Sequence, residues 1–397
     1  MGGMDAERAV PGPVWREVGE PLVRGAAGGP LARTRVAVKD LYAVAGHPVG
    51  AGNPDWLAGA PVEERNAWAV QALLDAGADV TGIAQTDELA FSLNGTNKHY
   101  GTPPNPAAPG RLTGGSSNGP AAAVALGVAD LGLGTDTAGS VRVPASHCGL
   151  YGLRTTHDLV AREGLLALAA SYDTVGWFAR DAGLLESAGD VLLPPGKPEP
   201  VESFLIAEDV LALAEPATRA TFETACSALA GGRRVRRVES LTGGRLEAWF
   251  HAFRAVQAAE AWERHGAWIE AHPGSLGSGV MARFAAGRDL PSGDRAAAQR
   301  IVDEARGTLR AAIEQGTALL LPAATAPAPP VDLDPAVMDA YRGRTLRLTC
   351  LSSIAGLPAA VLPMPPVDGL PVGLCAIGAR GTDRALLQLI ASVRPSS

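Results

Sequence analysis

The chain has little lysine, little cysteine and no long hydrophobic run. No apolar stretch approaches the ~18–20 residues a membrane-spanning helix needs, so no such helix is expected. The opening residues, MGGMDAERAVPG, lack the basic-then-apolar profile of a secretory leader, and a cytoplasmic location is expected. The cysteines at 148, 226, 350 and 375 have no paired spacing, which suits reduced thiols. Neither CxxC nor HExxH occurs, so no metal site is expected. Lys+Arg 34 against Asp+Glu 41 gives a net charge of −7, against a nucleic-acid or anionic-membrane partner.

Lysine scarcity carries information of its own. Among 34 basic residues only Lys39, Lys98 and Lys197 are lysine, so arginine serves wherever a generic positive charge suffices. A lysine kept in an apolar setting is a candidate for what arginine cannot do, which is to release a proton.

At 397 residues, 47% hydrophobic and 19% charged, the chain can bury a sizeable core as one large domain or two ordinary ones. TRVAV (34–38) alternates as a strand and ends at Lys39 and Asp40. Residues 64–77 read as an amphipathic helix closed by Gly77, followed by the strand ADVTGIAQ. Pro120 suits a first helical position, DLGLGTD (130–136) a buried strand, and AGSVRVPAS a tight turn. The Pro-rich LPPGKPEP (193–200) marks a break, and helical patterns follow near 216–230, 245–271 and 293–315. ALLLPAATAPAPP reads as strand then loop; helix 345–355, strand LPVGLCAIG and a helix capped by Thr382 close the chain. Strands alternating with helices predict an α/β fold with a parallel or mixed sheet.

The stretch RLTGGSSNGPAAAVALG (111–127) joins a glycine-serine run to an apolar helix. A linker would have polar flanks, and a phosphate loop would carry Lys-Ser/Thr after its last glycine. The remaining reading is a catalytic serine on a glycine-permitted turn, with a second serine, Ser140, in GTDTAGS. A serine hydroxyl needs a base, and no histidine sits in a nucleophile-elbow context. His147, in VPASHCG, reads as a packed, hydrogen-bonded side chain. Lys39 is the only lysine at the end of an apolar strand, where burial would lower its pKa; a surface lysine is the plain alternative.

VAVKD, GGSSNG and GTDTAGS together resemble the amidase signature family, and the separation of Ser116 from Ser140 is similar to the family's. ELAFSLNGTNKHYGTPPNP (88–106), SYDTVGWFARD (171–181) and TCLSSIAGLPAAVLPMP (349–365) resemble family segments in the same order. AGNPDWLAGAP (51–61) with WFARD looks like the branch containing plant indole-3-acetamide hydrolases. The resemblance implies a single large amidase-signature α/β domain over 1–397, its central mixed β-sheet flanked by helices on both faces. Within it, 1–30 is a poorly defined N-terminal segment and 195–310 a variable helical region.

The resemblance also implies chemistry without metal or cofactor. Lys39 would be the base, Ser116 a proton-relaying bridge and Ser140 the nucleophile. The amides of Thr137, Ala138 and Gly139, with that of Ser140, would form the oxyanion hole. Asp136 and Arg142 would brace that turn. Ala90 aligns with a position near the acyl group, with helix packing an equal reading. Trp177 and Phe178 are read as an aryl pocket or as core, and Trp56 as covering the mouth or as structural. The implied partner is a small carboxamide of aryl- or alkyl-acetamide type, indole-3-acetamide among the candidates, cleaved to acid and ammonia. The amidase subunit of a tRNA-dependent amidotransferase and a non-catalytic scaffold of the same fold are the alternatives.

There are departures from the pattern. GGSSGG reads GGSSNG, and TDTGGS reads TDTAGS, where a methyl on Ala138 would narrow the turn or demand a negative φ. The N-terminal helices of many members are missing, which bears on oligomer formation, a homodimer being one outcome.

Overall fold

The computed structural model describes residues 12–393; the MGGMDAERAVP start of the N-terminal reading lies outside the described residues. Among the described residues, eleven strands form one sheet in the order β1-β3-β2-β4-β6-β5-β10-β11-β9-β7-β8. They are β1 (Trp15–Val23), β2 (Arg35–Lys39), β3 (Asp79–Ala84), β4 (Leu131–Thr135), β5 (Tyr151–Arg154) and β6 (Val175–Ala179). The second half adds β7 (Ser203–Ala207), β8 (Arg234–Val238), β9 (Thr317–Pro322), β10 (Ala359–Pro363) and β11 (Gly373–Ile377). Pairing is parallel for β2 with β3 and β4 and for β7 with β8 and β9, and antiparallel elsewhere, so the sheet is mixed.

The helices are α1 (Pro54–Gly59), α2 (Trp68–Asp75), α3 (Asn118–Ala125), α4 (Arg142–Cys148), α5 (Ala182–Leu192) and α6 (Glu208–Leu211). They continue with α7 (Pro216–Ala230), α8 (Leu246–Ala271), α9 (Ser278–Arg288), α10 (Ser292–Ala312), α11 (Pro335–Ala355) and α12 (Asp383–Ala391). Two apolar cores cover the two faces of the sheet. Strand alternation sends Val36 and Val38 of β2 into one and Ala37 into the other. Helices α2, α5, α7 and α12 cover the first face, and α3, α4 and α8 to α11 the second.

Several expected boundaries move, each for a physical reason. Within the N-terminal segment, Trp15–Val23 forms an edge strand that pairs antiparallel with β3. AGSVRVPAS is not simply a turn. Its second half enters α4, and the Asp136 carboxylate accepts the amides of Gly139 (2.8 Å), Val141 (3.0 Å) and Arg142 (3.3 Å) at the entry. Helix α3 opens at Asn118, two positions ahead of Pro120. Helix α11 starts at Pro335 rather than 345, capped by Asp334, whose Oδ1 accepts from the Ala336 and Val337 amides. The region 195–310 holds two strands as well as helices, and β8 (RVRRV) escaped notice because an exposed edge strand is rich in arginine.

Glycines in β4 let α3 lie close on the sheet. A Cβ on Gly134 would stand 2.8 Å from Ser117 Oγ and 3.0 Å from the Phe178 ring. That contact sets where α3 begins, and so where the two serines of GGSS sit.

Candidate active site

Lys39 closes β2 and is wholly buried. Its Nζ lies 2.8 Å from Ser116 Oγ, 2.9 Å from Ser117 Oγ and 2.7 Å from Thr135 Oγ1. No described carboxylate forms a salt bridge with it. Burial lowers its pKa to about 7, while the more distant Asp87, Asp136 and Asp173 carboxylates act to raise it. A lysine in this state is a proton acceptor near neutrality.

The Ser117 hydroxyl donates to Thr135 O (3.1 Å) and accepts from the Thr135 amide (3.2 Å), fastening α3 to β4 beneath the lysine. Ser117 N donates to Ser140 O at 3.3 Å, which sets the two serine-bearing turns side by side. Ser140 opens into a cavity of about 240 Å³ whose lining includes Thr137, Ala138 and Ala90. Among the described residues no hydrogen bond joins the Ser116 and Ser140 hydroxyls, and none engages the amides of Thr137, Ala138 or Ser140. Gly139 differs from its expected place in the oxyanion group: its amide donates to Asp136 Oδ1 at 2.8 Å and is committed to the brace.

That brace is larger than expected. Asp136 contacts Arg142 (Nη2 to Oδ1, 2.7 Å) and Arg154 (Nη1 to Oδ1, 3.0 Å), all of them buried. Burial would raise the Asp136 carboxyl, but the two guanidiniums override it and hold it well below the usual range. Thr137 Oγ1 donates to Asp173 Oδ1 at 2.6 Å, and Asp173 also accepts the Leu168 and Ala169 amides. From α11, Thr349 Oγ1 donates to Ala138 O, while Thr349 O accepts from Arg142 Nη1 at 2.6 Å. Ala138 is absent from the positive-φ residues, so its methyl is accommodated without left-handed strain. Gly139, at φ 134 and with Thr349 3.0 Å from a would-be Cβ, is the position in this turn that requires glycine.

Ala90 lines the cavity, held in the left-handed region (φ 59) directly after Leu89 (φ 48). Trp177 does not line it. Strand alternation puts its ring in the core on the other side of the sheet from Phe178, and its Nε1 donates to Leu185 O at 3.0 Å. Phe178 is core as well, under Gly134. Trp56 packs on Trp268 and His265, with ring centroids 5.1 and 5.6 Å away. His147 is buried with Nε2 2.7 Å from Tyr341 Oη, and burial pushes it down to about 3, as befits a packed imidazole.

The sequence reading missed Ser117, Thr135, Arg154, Asp173 and Thr349. Ser117 and Thr135 stood inside quoted motifs, and Asp173 and Thr349 inside segments resembling the family, so their positions were marked but their contacts were not. No group of three or more His, Cys, Asp or Glu among the described residues could hold a metal ion.

The family model described as Amidase matches residues 18–195. The chain is 32% identical to Amidase 1 of Oryza sativa subsp. japonica over 91% of its length and 90% of that protein. It is 33% identical to Amidase 1 of Arabidopsis thaliana over 90% and 91% of the two chains. Among solved structures, the crystal structure of an amidase superposes with a TM-score of 0.81 at 32% identity, covering 91% of this chain and 84% of that one. The fold, with these similarities, defines an α/β enzyme that hydrolyses amide bonds. The chain belongs to the amidase signature family.

Proposed function

We propose that the protein hydrolyses a compact carboxamide to a carboxylic acid and ammonia through an acyl-enzyme on Ser140. Ser140 Oγ attacks the carbonyl carbon while its proton passes by way of Ser116 to the neutral Lys39 amine. The carbonyl oxygen becomes an oxyanion facing the amides of Thr137, Ala138 and Ser140. On collapse the C–N bond breaks, and the proton returns from Lys39 through Ser116 to the leaving nitrogen, releasing ammonia. Water then repeats the sequence on the ester and frees the acid. Preorganised amides aimed at a developing oxyanion are worth on the order of 3–4 kcal/mol per critical donor.

The observation that carries this reading is the Lys39–Ser116 contact, 2.8 Å, made by an amine that is out of water and, among the described residues, in no salt bridge with a carboxylate. The acyl group we favour is of aryl- or alkyl-acetamide type, with indole-3-acetamide a candidate. The small apolar lining near Ser140 supports it, including Ala90, Ala138, Leu168, Ala255 and Ala258. The four cysteines are all free and buried, as suits the reducing cytoplasm, and no helix among the described residues is long and apolar enough to cross a membrane.

The test is ammonia release from a panel of primary amides, together with labelling by a serine-reactive fluorophosphonate. Ser140→Ala is expected to abolish both. Substantial turnover by that variant, or labelling at another serine, overturns the assignment.

A further inference from the structure

The lining of the cavity is cationic as well as apolar. Arg254 of α8, Arg283 of α9 and Arg342 of α11 converge on it from three separate helices. Arginine is this chain's default cation, so its choice over lysine says little; three in one small cavity beside a nucleophilic serine says more. Their own partners leave most of this donor capacity free. Arg283 Nε donates to Phe91 O at 2.6 Å, and its two Nη groups have no acceptor among the described residues. Arg254 lies over the Phe250 ring, 5.4 Å from its centroid, and makes no described hydrogen bond. Among the described residues, Arg342 alone of the three bonds a carboxylate, Asp339, through Nε at 3.2 Å and Nη2 at 2.5 Å.

We propose that the substrate belongs to the alkyl rather than the aryl half of the acetamide class and carries a carboxylate at the end of its acyl group away from the amide, and that Arg283 and Arg254, with Arg342 beside them, bind it. This rests on the amide-hydrolysis reading of the same cavity. The apolar lining would take the acyl carbons, and the guanidinium forks would take the carboxylate oxygens in paired N–H···O contacts. Arg254 and Arg283 are partly buried and form no salt bridge among the described residues; the Asp339 carboxylate, and Asp87 for Arg283, act against their desolvation and mutual repulsion without cancelling them. Burial foremost, then the neighbouring guanidinium of Arg342, lowers the pKa of both Arg254 and Arg283, the latter to about 10. An anionic acyl group relieves that repulsion, and a neutral one does not. Arg254 and Arg283 lie in the central region that the family resemblance left uncovered.

Succinamate and succinamide test this directly, because they have the same shape and differ in one charge. In ammonia release, kcat/KM for succinamate is expected to exceed that for succinamide by about tenfold or more, chiefly through KM, and to fall as salt is raised. The ratio should collapse toward one in Arg283→Gln and, should that variant fail to fold, in Arg254→Gln. A diamide cleaved as well as the anion, or a ratio unmoved in the variants, overturns the proposal. A second arm needs no turnover: in Ser140→Ala, saturating glutarate should raise Tm by about 1–2 °C, and Arg283→Gln should remove the rise. No rise sinks the anion site whatever the amides do. A rise with no ammonia from any amide leaves the anion site standing and fails the hydrolase reading instead.

Discussion

The Lys39 amine nitrogen lies 2.8 Å from Ser116 Oγ inside a fully closed pocket of three hydroxyls, and burial brings its pKa to about 7. The amine accepts a proton only when neutral. kcat/KM is therefore expected to fall about tenfold per pH unit below 7 and to level off above it. A rate unchanged down to pH 5 removes the lysine from the mechanism. Stability carries the same sign: the charged amine is disfavoured in the fold, so its cost is fully present below about pH 7 and recedes as pH rises toward 10.5.

Gly134→Ala is expected to damage this arrangement from behind. The added methyl would meet Ser117 Oγ at 2.8 Å, and Ser117 both contacts Lys39 and ties α3 to β4. Overpacking of this kind costs about 1–3 kcal/mol, and activity should drop about tenfold or more at pH 7 because the lysine's surroundings shift. Gly132→Ala is the comparison, since its methyl would press on Pro120 O at 2.9 Å rather than on a lysine partner. Urea denaturation and initial rates on both variants check the distinction; equal loss of activity in the two refutes it.

The sequence held this site unevenly, and the residues show why. Lys39 was legible because TRVAV alternates, and Ser116 and Ser140 because glycine-rich turns flanked by apolar elements stand out locally. Arg154 reaches Asp136 only because β5 lies two strands from β4 across β6, a pairing no local pattern encodes. Trp177 and Phe178 looked alike in the chain, yet strand alternation sends them to opposite faces, and neither reaches the cavity. Helix α9 has little periodic apolar signal, so Arg283 could not be placed. Propensity and period find elements; which side chains meet depends on the sheet order.

Asp136→Asn is expected to unfold more than it inactivates. The carboxylate neutralises Arg142 and Arg154, and the variant leaves two buried guanidiniums without a counter-charge, a loss of about 3–5 kcal/mol in urea denaturation at pH 7. Its pKa is held low, so its stabilisation is present above the ordinary aspartate value of 3.8 and is lost as pH falls further. Asp40 and Asp87, raised to about 6 by burial, act in the opposite sense. The difference between wild type and Asp136→Asn therefore isolates the brace, and it should shrink on acidification. A difference that does not depend on pH down to 3 contradicts the ion-pair account.

Trp177 and Ala90 separate core from pocket. Trp177→Phe removes the indole N–H that serves Leu185 O in a closed core, which should cost about 1–3 kcal/mol and leave KM unchanged. Ala90→Leu fills space beside Ser140, so KM should rise for phenylacetamide while acetamide is less affected. The contrast follows from where the residues lie: Trp177 is across the sheet from Phe178 in a closed core, whereas Ala90, on a left-handed backbone, lines the cavity. A KM change in Trp177→Phe, or an Ala90→Leu variant indifferent to acyl size, would mean that the acyl group binds elsewhere. Steady-state kinetics on the two amides, with a melting curve for each variant, decides it.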